Sequence, residues 1–117
     1  MSSAQHHHAR AVIQDTDDLV TFIQIWDVTD AAAQSAWLAI MHGNIDLLRA
    51  KPGFISMTLH SSVDGKRIAV YAQWASHAAL HDAISDPAAI AAHDRMAQIG
   101  TPDGTLYTLD RAYTPTV

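Results

Sequence analysis

Cysteine is absent from this chain, which excludes disulfides, thiolate nucleophiles and metal sites built on sulfur. Glutamate is absent too, all 12 acidic residues being aspartate, a compositional habit to which no mechanism attaches. No apolar run approaches the roughly 20 residues that span a bilayer, and the N-terminus lacks the apolar centre of a secretion signal. There is no basic run, and with 7 Lys and Arg against 12 acidic residues the net charge is −5, the wrong sign for a nucleic-acid partner. No glycine-rich phosphate loop and no convincing ligand cluster occur. These absences predict a soluble cytoplasmic protein that binds neither membrane nor nucleic acid and carries no metal, flavin or haem.

What is present is enough for one core: 117 residues, 49% of them apolar and 16% charged, a normal balance for a single globular domain. Residues 1–18 read as a flexible polar arm, with His6, His7 and His8 solvated in it. Residues 19–117 read as the domain. Leu19 to Val28 is a strand with two apolar faces, Val20, Phe22, Gln24, Trp26 and Val28 pointing one way and Thr21, Ile23, Ile25 and Asp27 the other. Thr29 or Asp30 caps a helix that runs to about Ala50, with a stripe of Ala33, Trp37, Ile40, Met41, Asn44 and Leu48. Lys51-Pro52-Gly53 stops it.

The stretch from Pro52 to Trp74 is a β-hairpin. Its arms are Gly53 to Ser61 and Arg67 to Trp74, and Val63-Asp64-Gly65 is the turn signal. Ser76 then caps a short helix, Ala78 to Ile84. Asp86-Pro87 starts another, which reaches Ile99, and Thr105 to Tyr113 is a closing strand. The order β-α-β-β-α-β, with the second helical region broken in two, is a ferredoxin-like α+β arrangement with an antiparallel sheet. Its helices cover one sheet face. The other face is apolar as well, so a second copy packing sheet to sheet is expected, hence a homodimer.

With PGF after the first helix, a serine-and-DGK turn, YAQW closing the next strand and Ser85-Asp86-Pro87 beyond, the chain resembles the antibiotic biosynthesis monooxygenase family. Within that family it is most similar to cofactor-independent monooxygenases of aromatic polyketide pathways. The resemblance implies a dimeric α+β barrel that oxidises a phenolic, anthrone-type ring to a quinone with O2, without metal or flavin. It implies that Trp74 matches a tryptophan closing the third strand and that His60 matches a histidine earlier in the hairpin. A family asparagine falls on Val70 and a tyrosine on Leu80. A family arginine falls on His93, with Arg95 close by.

Whether His60 and Trp74 share a face depends on the turn. A three-residue loop sets His60 opposite Ile68, on the face of Trp74. A two-residue Asp-Gly loop sets it opposite Ala69, on the helix side and away from Trp74. The residues leave this open, and the resemblance favours the first. In that register His60 is the candidate base, since imidazole is the side chain that exchanges a proton near neutral pH; otherwise it is a satisfied edge histidine. Trp74 would stack on a flat substrate or simply fill the core. His93 and Arg95 are candidates for the pocket, or else surface residues of the helix. Gln24, a polar break in an apolar strand face, could orient a substrate oxygen or meet a backbone group. His42, His77 and His81 are expected at the surface. Two rivals use the same scaffold: a non-oxidative polyketide cyclase, made serious by Val70, and a haem- or small-molecule-binding dimer.

Overall fold

The computed structural model describes residues 9–16 and 18–116. His6, His7 and His8 lie outside the described residues. The elements run β1 (Val20–Val28), α1 (Ala31–Arg49), β2 (Phe54–Ser61), β3 (Arg67–Trp74), α2 (His77–Ile84), α3 (Pro87–Ala97) and β4 (Gly100–Tyr107). The four strands form one antiparallel sheet in the order β2-β3-β1-β4, the ferredoxin-like α+β fold expected. Each helix starts on a side-chain cap. Asp30 accepts from the Ala33 N–H at 2.8 Å, Ser76 from Ala79 at 3.0 Å and Asp86 from Ala88 at 2.8 Å. Such caps satisfy amide groups that a helix cannot satisfy itself. Pro87 occupies the first turn of α3, where no N–H is missed.

The buried stripe of α1 is Gln34, Trp37, Met41, Asn44 and Leu48. Trp37 meets Trp26 of β1 with ring centroids 5.3 Å apart, and both are fully buried with Ile68 and Trp74 at the centre of the core. Gln34 is a polar member with partners: its amide donates to the Arg67 and Ser62 carbonyls, tying the start of α1 to the hairpin loop. Gly53 is required where α1 turns into β2. Its φ is +85°, and a Cβ there would lie 2.5 Å from that of Ala79.

Three expectations are corrected. The hairpin is closed by a four-residue loop, Val63 to Lys66, flanked by the Ser62 N–H to Arg67 carbonyl bond. Ser61 pairs with Ile68 and His60 with Ala69. The Ser62 hydroxyl donates to Asp64 and accepts from the Lys66 and Arg67 amides, and Gly65 turns at φ +78°. A loop of even length keeps the parity of the two-residue turn, so His60 and Trp74 lie on opposite faces. The sides are also the reverse of those expected: Trp74 faces the helices and His60 the open face. A bulge at Ile55 then returns Phe54 to the helix side opposite Trp74, where the two rings meet edge to face at 5.2 Å.

The closing strand is Gly100–Tyr107 rather than Thr105 to Tyr113. Pro102 and Gly104 look like turn residues, yet β4 is an edge strand and an edge tolerates proline. Its glycines are demanded by proximity to β1: a Cβ at Gly100 would lie 2.8 Å from the Asp27 carbonyl oxygen, and one at Gly104 2.7 Å from Gln24 Cγ.

The N-terminal segment reaches the open face of the sheet. The Gln14 N–H donates to Gln73 Oε1 at 2.8 Å, and Gln73 Nε2 donates back to the Gln14 carbonyl at 3.1 Å. This two-point clasp satisfies a side chain that is fully buried. Among the described residues no helix is long and apolar enough to cross a membrane.

Candidate active site

The sheet and its helices do not meet everywhere. Between them lies a cavity of about 320 Å³. Phe22, Gln24 and Trp26 of β1, Met57 of β2 and Val70, Ala72 and Trp74 of β3 form its floor. Met41, Asn44 and Leu48 of α1, Leu80 and Ile84 of α2, and Ala89, Ile90, His93 and Met96 of α3 form its walls. Ile84 and Ile90, both about half exposed (48% and 47%), mark the mouth between α2 and α3. The lining is apolar apart from three side chains that converge from three elements: Gln24, Asn44 and His93. A mostly apolar hollow with a few convergent polar groups is the usual form of a small-molecule site.

Two of the three polar groups are placed by a neighbour. Gln24 Oε1 accepts from the indole N–H of Trp26 at 3.1 Å. The His93 ring meets the Trp26 ring edge-on, centroids 5.4 Å apart. Asn44 sits in the buried stripe of α1, and among the described residues its carboxamide has no hydrogen-bond partner. Outside the lining, Lys51 reaches Asp86 at 2.6 Å, joining the end of α1 to the corner between α2 and α3. The Lys51 ammonium, with the Ala88 N–H, holds the Asp86 carboxyl below its usual range.

The structure therefore gathers five of the residues anticipated from the sequence: Gln24, Val70, Trp74, Leu80 and His93 all line the cavity. Arg95 lies on an exposed face of α3 outside the lining. His60 is on the other side of the sheet, exposed, its Nε2 3.0 Å from Thr58 Oγ1. There it borders a second hollow of about 380 Å³ between the sheet and residues 11–13, whose Val12 and Ile13 stand largely in solvent. Asn44, one position of the α1 stripe, also lines the cavity, and the signal for this in the sequence is its polarity at a core position. Among the described residues no group of three or more histidines and carboxylates could hold a metal ion.

Residues 28–95 match the profile of the family described as antibiotic biosynthesis monooxygenase. The chain belongs to that family. Among its relatives is the tetracenomycin-F1 monooxygenase of Streptomyces glaucescens, 34% identical over 77 residues that make up 66% of this chain and 69% of the relative. The ActVA-Orf6 monooxygenase of Streptomyces coelicolor, solved with the ligand nanaomycin D, superposes with a TM-score of 0.75 at 26% identity, covering 83% of this chain and 92% of that one. SnoaB, a cofactor-independent oxygenase from Streptomyces nogalater, has the same fold at a TM-score of 0.74 and 23% identity, covering 82% and 97%. The span matched to the antibiotic biosynthesis monooxygenase family runs from the end of β1 through α3. It thus contains Asn44, Val70, Trp74, Leu80 and His93, while Gln24 and Trp26 precede it.

Proposed function

We propose that this chain is a cofactor-independent monooxygenase that oxidises a polycyclic aromatic phenol, an anthrone-type intermediate of a polyketide, to a quinone with O2. The observation that carries the reading is the apolar cavity lined by both Trp74 and His93, in a member of a family whose relatives include monooxygenases and a cofactor-independent oxygenase by name. The planar substrate lies in the cavity with Trp74 in its floor. His93 takes a proton from the phenol or the activated methylene, leaving an electron-rich anion. The anion passes one electron to O2, and the resulting radical and superoxide combine to form a C–O bond. The peroxide anion so formed takes up a proton, and the resulting hydroperoxide loses water across that carbon, leaving the carbonyl of the quinone. One O2 is consumed, one oxygen atom stays in the product and the other leaves as water. The substrate supplies the electrons. The protein supplies position, a water-poor cavity and donors for the developing negative charge.

In this reading the base is His93, because His60 stands on the opposite face of the sheet. Val70 and Leu80 shape the apolar wall, and Arg95 has no part in the lining. The open face, with Ile23, Ile25 and Tyr107 on it, is the surface through which two copies pack into a dimeric barrel. Sedimentation at micromolar concentration should give twice 12.7 kDa, and a stable monomer would refute that assembly. The functional test is oxygen uptake against a small panel of anthrones, with the product followed by its quinone absorbance. Turnover of a ketone without oxygen uptake would favour a cyclase instead, a reading that the apolar Val70 and Leu80 keep open.

A further inference from the structure

We infer that Trp26 is a positioning residue, whose indole N–H sets the polarity of the Gln24 carboxamide so that its NH2 group is the donor offered to the anionic oxygen of the substrate; this rests on the function proposed above. The argument starts from what an indole can do. It has one N–H and no acceptor, so the Gln24 atom that faces it at 3.1 Å must be the oxygen. Trp26 is fully buried, and turning the amide would set two donors against each other and leave a buried N–H unpaired. The orientation is thereby locked. With Oε1 engaged, the end that remains for the cavity is the NH2, which has no other partner among the described residues.

Two further contacts hold the arrangement. Gly104 pairs with Gln24 across β1 and β4, and because it lacks a side chain the stem of Gln24 can lie over it, where a Cβ would stand 2.7 Å from Cγ. The Trp26 ring is wedged between Trp37 at 5.3 Å and His93 at 5.4 Å. One tryptophan therefore touches both the proposed base and the proposed donor. It puts a proton acceptor and an N–H donor on the same cavity, which is what a phenol becoming a phenolate requires.

The test is a double-mutant cycle on binding of alizarin, a hydroxyanthraquinone that cannot be oxidised further at its carbonyl carbons, followed by quenching of tryptophan fluorescence. Trp26→Phe keeps a ring against Trp37 and His93 but removes the N–H. It should weaken alizarin binding about threefold to tenfold, the scale of one net hydrogen bond, and should have no further effect when Gln24 is already leucine. A tryptophan that only supports the fold would give the same loss in both backgrounds, and that result overturns the inference. If Trp26→Phe does not fold, Gln24→Glu decides the matter. The carboxylate still accepts the indole proton but has no N–H to give, so binding of the alizarin anion should fall while the Trp26 indole N–H signal stays hydrogen-bonded by NMR. Wild-type affinity in Gln24→Glu refutes the donor role. Oxygen uptake by the wild-type protein separates the two ideas. A coupled cycle without turnover removes the oxygenase reading alone, and turnover with an additive cycle removes the role of Trp26 alone. Failure of the wild-type protein both to bind alizarin and to oxidise an anthrone removes both.

Discussion

Replacing either of two glycines of β4 by alanine should damage different properties of the molecule. Each replacement would gain about 0.4–1 kcal/mol from a less free unfolded chain if the added methyl had room. Neither has room, but the obstacles differ. At Gly100 the methyl would lie 2.8 Å from the Asp27 carbonyl oxygen and 2.9 Å from Val28 Cγ1. A backbone oxygen can yield only if the strands separate, so Gly100→Ala should be destabilised by about 1–3 kcal/mol, the usual range for overpacking. For a domain of this size that lowers Tm by roughly 4 °C for each kcal/mol. At Gly104 the methyl would meet Gln24 Cγ at 2.7 Å and Phe22 Cε1 at 3.3 Å. Gln24 has side-chain torsions to turn, so the fold escapes most of the strain, while the carboxamide leaves the Trp26 N–H. Gly104→Ala should melt within about 1 kcal/mol of wild type yet oxidise its substrate more slowly. Thermal melts and oxygen uptake on both variants are sufficient. If Gly104→Ala keeps full turnover, or loses as much stability as Gly100→Ala, the placement of Gln24 over Gly104 does not matter in the way argued.

Other consequences follow from the same geometry. His93→Gln should lower turnover by about 10²–10⁴-fold, the scale of general-base assistance, while His60→Gln, on the far side of the sheet, should leave turnover at the wild-type level; steady-state oxygen uptake on the pair tells which histidine serves the cavity. Trp74→Ala should cost about 3–5 kcal/mol in a urea titration, as expected for a truncated core tryptophan, since Trp74 is 2% exposed and packs on Phe54; Trp74→Phe should fold well and bind substrate more weakly. The Lys51–Asp86 pair should matter only where Asp86 is ionised. Its carboxyl is held below the usual range in the folded state, chiefly by the Lys51 hydrogen bond. Its contribution is therefore present above the unfolded value of about 3.9 and is lost as pH falls through the lower folded value. The stability gap between wild type and Lys51→Met should be open at pH values near 6 and should close below about pH 4.

The elements of the fold were legible because their signals are local. Asp30, Ser76 and Asp86-Pro87 announce helix starts, and alternation along Val20 to Val28 announces a strand whose two faces the structure keeps as read. What failed depended on counting residues through a loop or on contacts with a distant strand. The turn signal at Asp64-Gly65 is real, but its length is set by the bonds of Ser62 and Asp64 to the Lys66 and Arg67 amides, and these do not show in composition. Nor can a strand reveal that Pro102 and Gly104 belong to it when the reason is the nearness of Gln24 and Asp27 on a partner some 80 residues earlier.

The same distinction separates the two histidines. Side chains on a strand alternate with period two, so one residue more or less in the loop carries His60 from one side of the sheet to the other. Nothing intermediate exists. His93 is anchored instead by the start of its own helix at Asp86-Pro87, two turns away and without a loop between. An error of one residue there rotates a side chain by about 100°, a partial loss rather than an inversion. A residue placed by a cap within its own element can thus be read with some security, whereas one placed by the length of a turn needs the hydrogen bonds of that turn. Asn44 belongs to the first kind, since it follows the Asp30 cap along the stripe of Trp37, Met41 and Leu48. A stripe shows itself chiefly through its apolar members. A carboxamide in such a stripe must either find a partner within the core or face a space meant for something else. Here it faces the cavity, and that makes it the next side chain to replace: Asn44→Leu should leave the fold intact, fill apolar volume in the site, and weaken binding of a hydroxylated ligand more than binding of its unsubstituted hydrocarbon. Equal weakening of both would mean that Asn44 serves only to occupy space.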